Sequence, residues 1–457
     1  MSAKKQFGLL CAVFLGFLLV AFAALFLVRS LPTKNVTNHI IAAGKQLRRE
    51  GGYPDAFGLN IYADNWRRDN NTDSIMLFES LPDPTLSTFQ SVLQSRYRVA
   101  QYGKAFDPAV LSPGASKSTF SKTKLVSYER YWHGYQVFLM PLLELTSYNG
   151  IRLLNGVLLF ALVLFLAFLI VRKGYSRAVA LLFALALFLT SCFVVPFSLQ
   201  FVGVFYIALV GMIALLLFDK HKPDNIRIKI TFLLLGMLTS FIDFLTAPVV
   251  ALAVPLLMLV VINHKYLTEA ARRKKFYKTL VLNTLIWIAG YALLWISKWV
   301  LAGLFSANKG AVGEGFSRVL SKMGSGGLSA TITLYLKAMV WNIVVLVPGT
   351  SNQRVVLRLA SILVFMLLIG VLWYVCFRRT RGAKNDLSQN LPFLLVALIP
   401  TLWILAFPAQ TSGVFMYVNR AHLATVYGLL LFGYYSVDWK RLKRGSYKKT
   451  DEEELRA

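Results

Sequence analysis

Residues 8–28 read GLLCAVFLGFLLVAFAALFLV, and residues 151–171 read IRLLNGVLLFALVLFLAFLIV. Each run has about the 20 apolar residues that a helix needs to cross the hydrocarbon core of a bilayer. Between the runs lie 120 mostly polar residues, from Arg29 to Tyr148. Because lipid-exposed irregular chain is unstable inside a membrane, this stretch must form a large loop on one face. The sequence therefore predicts an all-α polytopic membrane protein.

The composition agrees with a chain that lies in a bilayer. Apolar residues make up 56% of the sequence, and the mean hydropathy is +0.58. The net charge of +28 could suggest nucleic acid, but much of the basic charge forms short clusters beside apolar runs, as the positive-inside rule expects. Nucleic-acid binding is therefore not expected. Cys11, Cys192 and Cys376 lie inside apolar runs, so they predict neither a disulfide framework nor a metal site.

Basic clusters predict the topology and divide the chain. Residues 1–28 form a retained first transmembrane helix with the N-terminus in the cytoplasm, and residues 29–150 form an extracytoplasmic loop with interfacial helices. Residues 151–437 form a transmembrane bundle that includes an outer segment at 302–354. Residues 438–457, first basic and then acidic, form a cytoplasmic tail.

Two long apolar stretches are expected to be hairpins, because basic residues flank both of their ends. Residues 178–218 should turn outside near Pro196–Gln200, and residues 230–262 should break near Asp243–Pro248. Residues 331–347 are expected to be re-entrant or interfacial, since a full crossing there would place later basic clusters outside. The total is about ten crossings, with both termini in the cytoplasm.

The loop contains a dense set of acids and amides in the segment ADNWRRDNNTDSIML, residues 63–77. Asp69 and Asp73 in this segment are one helical turn apart. An ionised carboxylate can accept a proton from a hydroxyl group, or it can hold a sugar or a metal ion. The same pattern is also typical of a helix start, with Asn or Asp as the N-cap.

A second set of polar and aromatic residues, YERYWHGY at 128–135, lies just before the second apolar run. Aromatic residues beside a membrane helix usually form the interfacial belt. Trp132 and His133 would also suit a sugar site, because the C–H face of a sugar ring packs on an aromatic ring while its hydroxyls need polar partners.

Asp243 and several cations fall on the predicted outer side. Asp243 lies between Ile and Phe at the second hairpin turn, so its side chain should face protein or water rather than lipid. A helix cap at the break explains it equally well. Lys298 and Arg420 are among cations that could bind lipid phosphates or a departing phosphate group. Snorkelling to lipid headgroups explains several of these cations.

Taken together, these residues and the arrangement of apolar runs resemble the GT-C superfamily of membrane glycosyltransferases. Such enzymes take a sugar from a polyprenyl-phosphate carrier on the non-cytoplasmic side of the membrane. Asp69 and Asp73 look like the catalytic aspartate of the first outer loop, while Asp243 and Arg420 look similar to outer-face polar positions. The adjacent carboxylate pair of better-known members is missing, which leaves Asp64 as a further alternative for the base.

The resemblance implies a bacterial, inverting transferase of the plasma membrane. Its partners would be a polyprenyl-phosphate-linked sugar donor, a cell-envelope or cell-wall glycan or lipid acceptor, and membrane lipids. Asp69 would be the base with Asp73 in support, and Asp243 would hold the acceptor or the sugar. Arg420 and Lys298 would bind the phosphate, and Trp132 and His133 would line the sugar site. The scattered acids indicate no metal site, and a divalent cation is the only cofactor that they leave open.

The main alternative is a transporter or flippase of lipid-linked saccharides, because broken hairpins and polar groups at membrane depth also mark transport paths. Transport needs polar residues along the whole depth, whereas the polar residues here gather on one side. A membrane O-acyltransferase ranks lower, since the five His residues lie in loops or near the ends of apolar runs.

Overall fold

The computed structural model describes residues 2–57, 63–81, 83, 85–100, 123–218, 225–306, 308–324, 328–347, 355–380 and 387–442. Parts of the predicted domains lie outside the described residues. They are residue 1, loop residues 58–62, 82, 84 and 101–122, bundle residues 219–224 and 381–386, residues 307, 325–327 and 348–354 of the predicted outer segment, and residues 443–457 of the predicted tail.

The segment that follows the first long helix is itself mostly helical. The elements up to residue 145 are α1 (Ala3–Arg29), α2 (Lys34–Glu50), a 3-10 turn (Asp64–Trp66), α3 (Asn70–Glu79), α4 (Thr88–Leu93), β1 (Arg96–Ala100), β2 (Thr123–Ser127) and α5 (Gln136–Leu145). The two strands pair antiparallel, with Arg96 opposite Ser127. This small sheet is an addition to the predicted all-α fold.

From residue 148 onward, every element among the described residues is helical. The longer helices are α6 (Tyr148–Arg172), α7 (Arg177–Leu189), α8 (Leu199–Leu217), α9 (Ile226–Ile242), α10 (Val250–Asn263), α11 (Ala270–Phe305), α12 (Ala311–Met323), α13 (Leu328–Val344), α14 (Val355–Thr380) and α19 (His422–Ser436). Four short helices come between α14 and α19: α15 (Leu391–Ala397), α16 (Ile399–Ala406), α17 (Pro408–Gly413) and α18 (Phe415–Val418). Short 3-10 turns lie at Cys192–Phe197, His264–Tyr266, Leu387–Gln389 and Asn419–Ala421.

Five of the described helices, α1, α6, α8, α11 and α14, are long and apolar enough to cross a membrane. Shorter apolar helices lie at Gln136–Leu145, Arg177–Leu189, Val250–Tyr266 and Leu391–Ala406. The chain is therefore a helical protein with the character of a membrane protein, as predicted. The finer prediction of ten crossings and of their direction stays a prediction.

Both expected hairpins turn where the sequence predicted a break. Between α7 and α8, Ser191 adopts a left-handed backbone with φ of 54° and the 3-10 turn contains Pro196. Between α9 and α10, Leu245 also has a positive φ, 67°, three residues before Pro248. A left-handed residue followed by a proline stops a helix, because the backbone is redirected and an amide donor is lost.

The centre of the bundle is α10, all of whose 14 residues are buried. A helix that is apolar on every side is stable only when other helices or lipids surround it. Beside it, α9 and α11 approach closely through a pair of glycines. A Cβ atom on Gly236 would lie 2.2 Å from the carbonyl oxygen of Trp287, and one on Gly290 would lie 2.7 Å from that of Leu233. Glycine is required at such backbone contacts because any side chain would clash.

The loop segment covers one end of the bundle, which we call the loop side. Helix α2 packs against α3, α5 and α6. It buries Val36, Ile40 and Leu47 in the main core. The apolar face of α2 is therefore covered by protein, whereas the sequence predicted interfacial helices in this loop. The same end of the bundle carries the turns before α8 and after α9.

Candidate functional site

Asp69 begins helix α3 as its N-cap. Its carboxylate accepts hydrogen bonds from the backbone N–H of Thr72 at 3.0 Å and from the Thr72 hydroxyl at 2.6 Å. Its own backbone N–H donates to the hydroxyl of Ser198 at 2.9 Å, which connects α3 to the turn before α8. The helix-start interpretation is therefore confirmed for Asp69, and this role is compatible with a catalytic one.

The carboxyl group of Asp69 is almost completely buried. Burial raises the pKa of Asp69 to about 6, although the hydrogen bonds from Thr72 and the charge of Arg420 act in the opposite direction. A base with a pKa near the working pH is effective, because it is mostly ionised and still binds a proton well. Asp69 thus has the proton affinity that a general base needs.

Asp73 has a different environment, because its carboxylate holds the start of α8. One oxygen accepts from the hydroxyl of Tyr148 at 2.5 Å and from the N–H of Leu199 at 3.0 Å, and the other accepts from the N–H of Gln200 at 3.3 Å. Burial raises the pKa of Asp73 to about 7, against the opposing charge of Arg152. With one hydrogen bond from Tyr148 and two from the first backbone N–H groups of α8, the Asp73 carboxylate positions the start of that helix.

Arg420 ties the loop segment to the bundle. Its guanidinium is buried and donates to the carbonyl oxygen of Met416 at 3.1 Å and to those of Asn65 at 3.3 Å and Arg67 at 3.5 Å. The guanidinium carbon lies 4.2 Å from the centre of the Phe201 ring. Because Arg420 follows directly after the short helix α18, these contacts bring the 3-10 turn at Asp64–Trp66 against the end of the bundle.

Buried polar atoms without a partner gather at this junction. Among the described residues, they are one carboxylate oxygen of Asp64, the amide oxygen of Asn65, both amide atoms of Asn419 and Nε of Arg420. Leaving such a group unpaired costs about 1–3 kcal/mol, so a concentration of them indicates a place that water or a polar ligand occupies. We call Asp64, Asn65, Asp69, Asn419 and Arg420 the polar cluster.

Gln200 connects the acids of the loop to the second hairpin. Its side-chain amide donates to the hydroxyl of Thr246 at 2.5 Å, while its amide oxygen is buried without a hydrogen-bond partner among the described residues. The N–H of Thr246 in turn lies 3.1 Å from the carboxylate of Asp243. Asp73, Gln200, Thr246 and Asp243 thus form one connected path on the loop side.

Asp243 is the C-cap of α9 and is buried. The cap interpretation is therefore confirmed for this residue. Gln200, Asn65 and Asn419 were missed as site residues by the sequence analysis. Asn65 lies in the acid- and amide-rich segment 63–77, Gln200 is the second residue of α8, and Asn419 comes just before Arg420. None of these positions predicts the contacts of the side chain.

Trp132 and His133 point away from each other. The indole N–H of Trp132 donates to the carbonyl oxygen of Leu294 at 2.7 Å. In His133, Nδ1 lies 2.9 Å from a carboxylate oxygen of Glu79, and Nε2 lies 2.8 Å from the carbonyl oxygen of Tyr128. The positive φ of His133, 56°, turns the two side chains apart. The structure does not bring either side chain to the polar cluster.

Lys298 lies inside the protein, under the short helix α4. Its ammonium group donates to the carbonyl oxygens of Val92 at 2.7 Å and Leu93 at 3.0 Å. The last carbonyls of a helix lack partners within the helix, and a cation there satisfies them. The structure therefore gives Lys298 a capping role, and it does not join Lys298 to Arg420.

No group of three or more His, Cys, Asp or Glu side chains within the described part of the chain is placed to hold a metal ion. No protein-family model matches the chain, and searches of curated proteins and of solved structures found no match. The chemistry of the polar cluster therefore has to be inferred from its own atoms.

Proposed function

We propose that this protein is a membrane glycosyltransferase. It would move a sugar from a polyprenyl-phosphate carrier to a hydroxyl group of a cell-envelope glycan or lipid on the outer face of the plasma membrane. The observation that carries the proposal is the polar cluster, which combines buried unpaired amide and carboxylate atoms with Asp69, an aspartate with a raised pKa that interacts electrostatically with Arg420. Sugar hydroxyls both donate and accept hydrogen bonds, so they would satisfy such a mixed set of groups.

Asp69 is the base in this proposal. The acceptor hydroxyl would give its proton to the Asp69 carboxylate while its oxygen forms a bond to the anomeric carbon of the donor. The bond from that carbon to the phosphate oxygen would break, and the electron pair would leave with the phosphate. The attack comes from the opposite side, so the configuration inverts. Positioning of the two reactants and proton removal would supply most of the acceleration.

The remaining members of the cluster would bind the sugar and the phosphate. The amides of Asn65 and Asn419 and the free oxygen of Asp64 suit sugar hydroxyls. Arg420 has one guanidinium N–H without a partner among the described residues, and its charge favours a developing phosphate anion. The proposal assigns the phosphate to Arg420 alone, because Lys298 already donates to two carbonyl oxygens.

The hairpin turns support a one-sided site over a transport path. The central helix α10 is apolar from Val250 to Ile262 and is buried throughout, so it offers no polar groups along its depth. Carriers of polar substrates place their binding groups near the middle of the membrane. Asp243 and Gln200 lie instead at the loop-side ends of their helices.

The test is reconstitution of the full chain in liposomes that contain labelled polyprenyl-phosphate sugars and a hydroxyl acceptor. The proposal expects a labelled product and no movement of the labelled donor between leaflets. Translocation of the donor without product would support the transporter and contradict the transferase. Neither product nor translocation with a panel of sugars would also count against the proposal.

A further inference from the structure

Helix α12 carries an apolar ridge that the described protein covers only in part. Val312, Phe316, Leu320 and Met323 recur along one face, and their side chains are 36%, 52%, 63% and 46% exposed. Their spacing of four, four and three residues places them in a single row. A row of this kind on a short helix is typical of a segment that lies along a membrane surface.

The position of α12, just after the end of a long apolar helix, favours a place at the bilayer surface. The helix starts six residues after α11 ends at Phe305, and α11 is one of the helices able to span a membrane. Gly315 holds α12 against α11, since a Cβ there would lie 2.4 Å from the Trp299 ring. Leu304 and Phe305, at the end of α11, are also exposed.

Three cations, Arg130, Arg318 and Lys322, interact electrostatically near the end of α12. Arg130 stacks on Tyr128, with its guanidinium carbon 4.2 Å from the ring centre, and the side chains of Arg318 and Lys322 project from α12. Burial lowers the pKa of Lys322, and the charges of Arg130 and Arg318 lower it further. No ion pair within 4 Å involves these three cations among the described residues.

The backbone at Arg130 is held rigidly, which favours a site that is formed in advance. The indole N–H groups of Trp295 and Trp299 both donate to the carbonyl oxygen of Arg130, at 2.6 and 3.0 Å. Lys322 donates to the side-chain oxygen of Gln410 and keeps its remaining donors available. Two guanidinium groups and an ammonium with no carboxylate within 4 Å among the described residues suit the binding of a phosphate.

We propose that α12 lies in the loop-side leaflet of the membrane and that Arg130, Arg318 and Lys322 bind the phosphate of an anionic phospholipid headgroup there. The ridge would enter the boundary between headgroups and acyl chains, and the cations would hold the anion above it. The ridge favours a lipid over free phosphate, because a soluble anion would have no use for the exposed apolar row. This inference does not depend on sugar transfer.

The test measures which lipids the protein retains. The full chain is purified in mixed micelles with equal amounts of phosphatidylglycerol and phosphatidylcholine, and the bound lipids are quantified by mass spectrometry. We expect a clear preference for phosphatidylglycerol in the wild type. Arg318→Gln and Lys322→Gln should each reduce the preference about fivefold, because each variant loses a charge-assisted hydrogen bond to the bound phosphate.

Lys309→Gln is the matched control, because it removes one exposed positive charge from the link between α11 and α12. Its retained-lipid ratio should equal that of the wild type. An unchanged ratio in Arg318→Gln, or an equal fall in the control, would overturn the proposal. The proposal would also be overturned if the same three cations retained polyprenyl phosphate more strongly than phosphatidylglycerol. The site would then belong to a substrate and not to a membrane lipid. Arg318 is exposed, so its variant is expected to fold.

Discussion

The side-chain amide of Gln200 donates to the hydroxyl of Thr246, and this single contact joins the first residues of α8 to the break after α9. On one side of it, the N–H of Gln200 donates to Asp73. On the other side, the N–H of Thr246 donates to the carboxylate of Asp243. The acids of two segments more than 160 residues apart are therefore held in one hydrogen-bonded unit.

The first prediction is that Gln200 and Thr246 are energetically coupled. Gln200→Ala and Thr246→Val should each destabilise the fold by about 1–2 kcal/mol, because a buried partner is left unpaired. The double variant should cost less than the sum, with a coupling energy of about 1 kcal/mol. Denaturant unfolding in micelles measures all three variants. Simple additivity would mean that the contact contributes nothing.

The second prediction concerns the capping role of Lys298. Lys298→Met should destabilise the protein by about 1–3 kcal/mol, because the carbonyl oxygens of Val92 and Leu93 lose their donor. The KM for a polyprenyl-phosphate donor should stay the same, since the ammonium group lies under α4. A large rise in KM with unchanged stability would instead return Lys298 to the phosphate site.

The third prediction is a pH dependence of stability caused by Asp69, whose pKa is raised by burial to about 6 from 3.8 in the unfolded chain. Between these values the folded chain holds the proton and the unfolded chain does not. Stability from this group is therefore fully present below about pH 4 and is lost as the pH rises to about 6. Asp69→Asn lacks this loss, so its stability relative to the wild type should increase over that interval and then level off.

Asp83→Asn is the control for this experiment, because the pKa of Asp83 is lowered in the folded protein, whereas that of Asp69 is raised. Burial acts to raise the pKa of Asp83, but hydrogen bonds from Thr85 and the charge of Arg96 lower it. Removing that carboxylate should cost stability above about pH 4 and nothing below its folded pKa. Thermal unfolding at several pH values compares the two variants. If the stability of the two variants relative to the wild type changed with pH in the same direction, the raised pKa of Asp69 would be contradicted.

The fourth prediction tests the close contact between α9 and α11. Gly236→Ala should destabilise the bundle by about 1–3 kcal/mol or more, since the new methyl group would meet the carbonyl oxygen of Trp287. Gly370→Ala in α14 is the control, because no atom lies within 4 Å of its added Cβ. That change should be neutral or stabilising by up to about 1 kcal/mol. The yield of monodisperse protein and its thermal midpoint are measured for both variants. Equal yields and midpoints for Gly236→Ala and Gly370→Ala would contradict the close contact between α9 and α11.

Local signals predicted much of the fold. Apolar length located the long helices α1 and α6. The flanking basic residues required two hairpins, whose breaks were predicted near 196–200 and 243–248 and lie at 190–198 and 243–249. The N-cap role of Asp69 was also open to prediction, because a carboxylate followed by Asn-Asn-Thr satisfies the free N–H groups of a first turn. These features depend on neighbours within a few residues, which a sequence displays directly.

The candidate site depended on contacts that no local pattern reveals. Lys298 was expected beside Arg420, but the folding of α4 over α11 turned it into a cap. The divergence of Trp132 and His133 follows from one positive φ value that the sequence did not signal. The sequence indicated Gln200 only as the last residue of a predicted turn. It did not indicate the hydrogen bond to Thr246, because that residue lies 46 positions further along the chain.

The most direct measurement of the central claim is the initial rate of sugar transfer from a polyprenyl-phosphate donor by the full chain, with Asp69→Asn compared with Asp83→Asn. We predict that the first change lowers the rate by about 10²–10⁴-fold, which is the usual contribution of a general base, and that the second leaves it unchanged. Both variants must show the same donor binding and a folded thermal transition. Full transfer by Asp69→Asn would contradict the role of the polar cluster as a catalytic site.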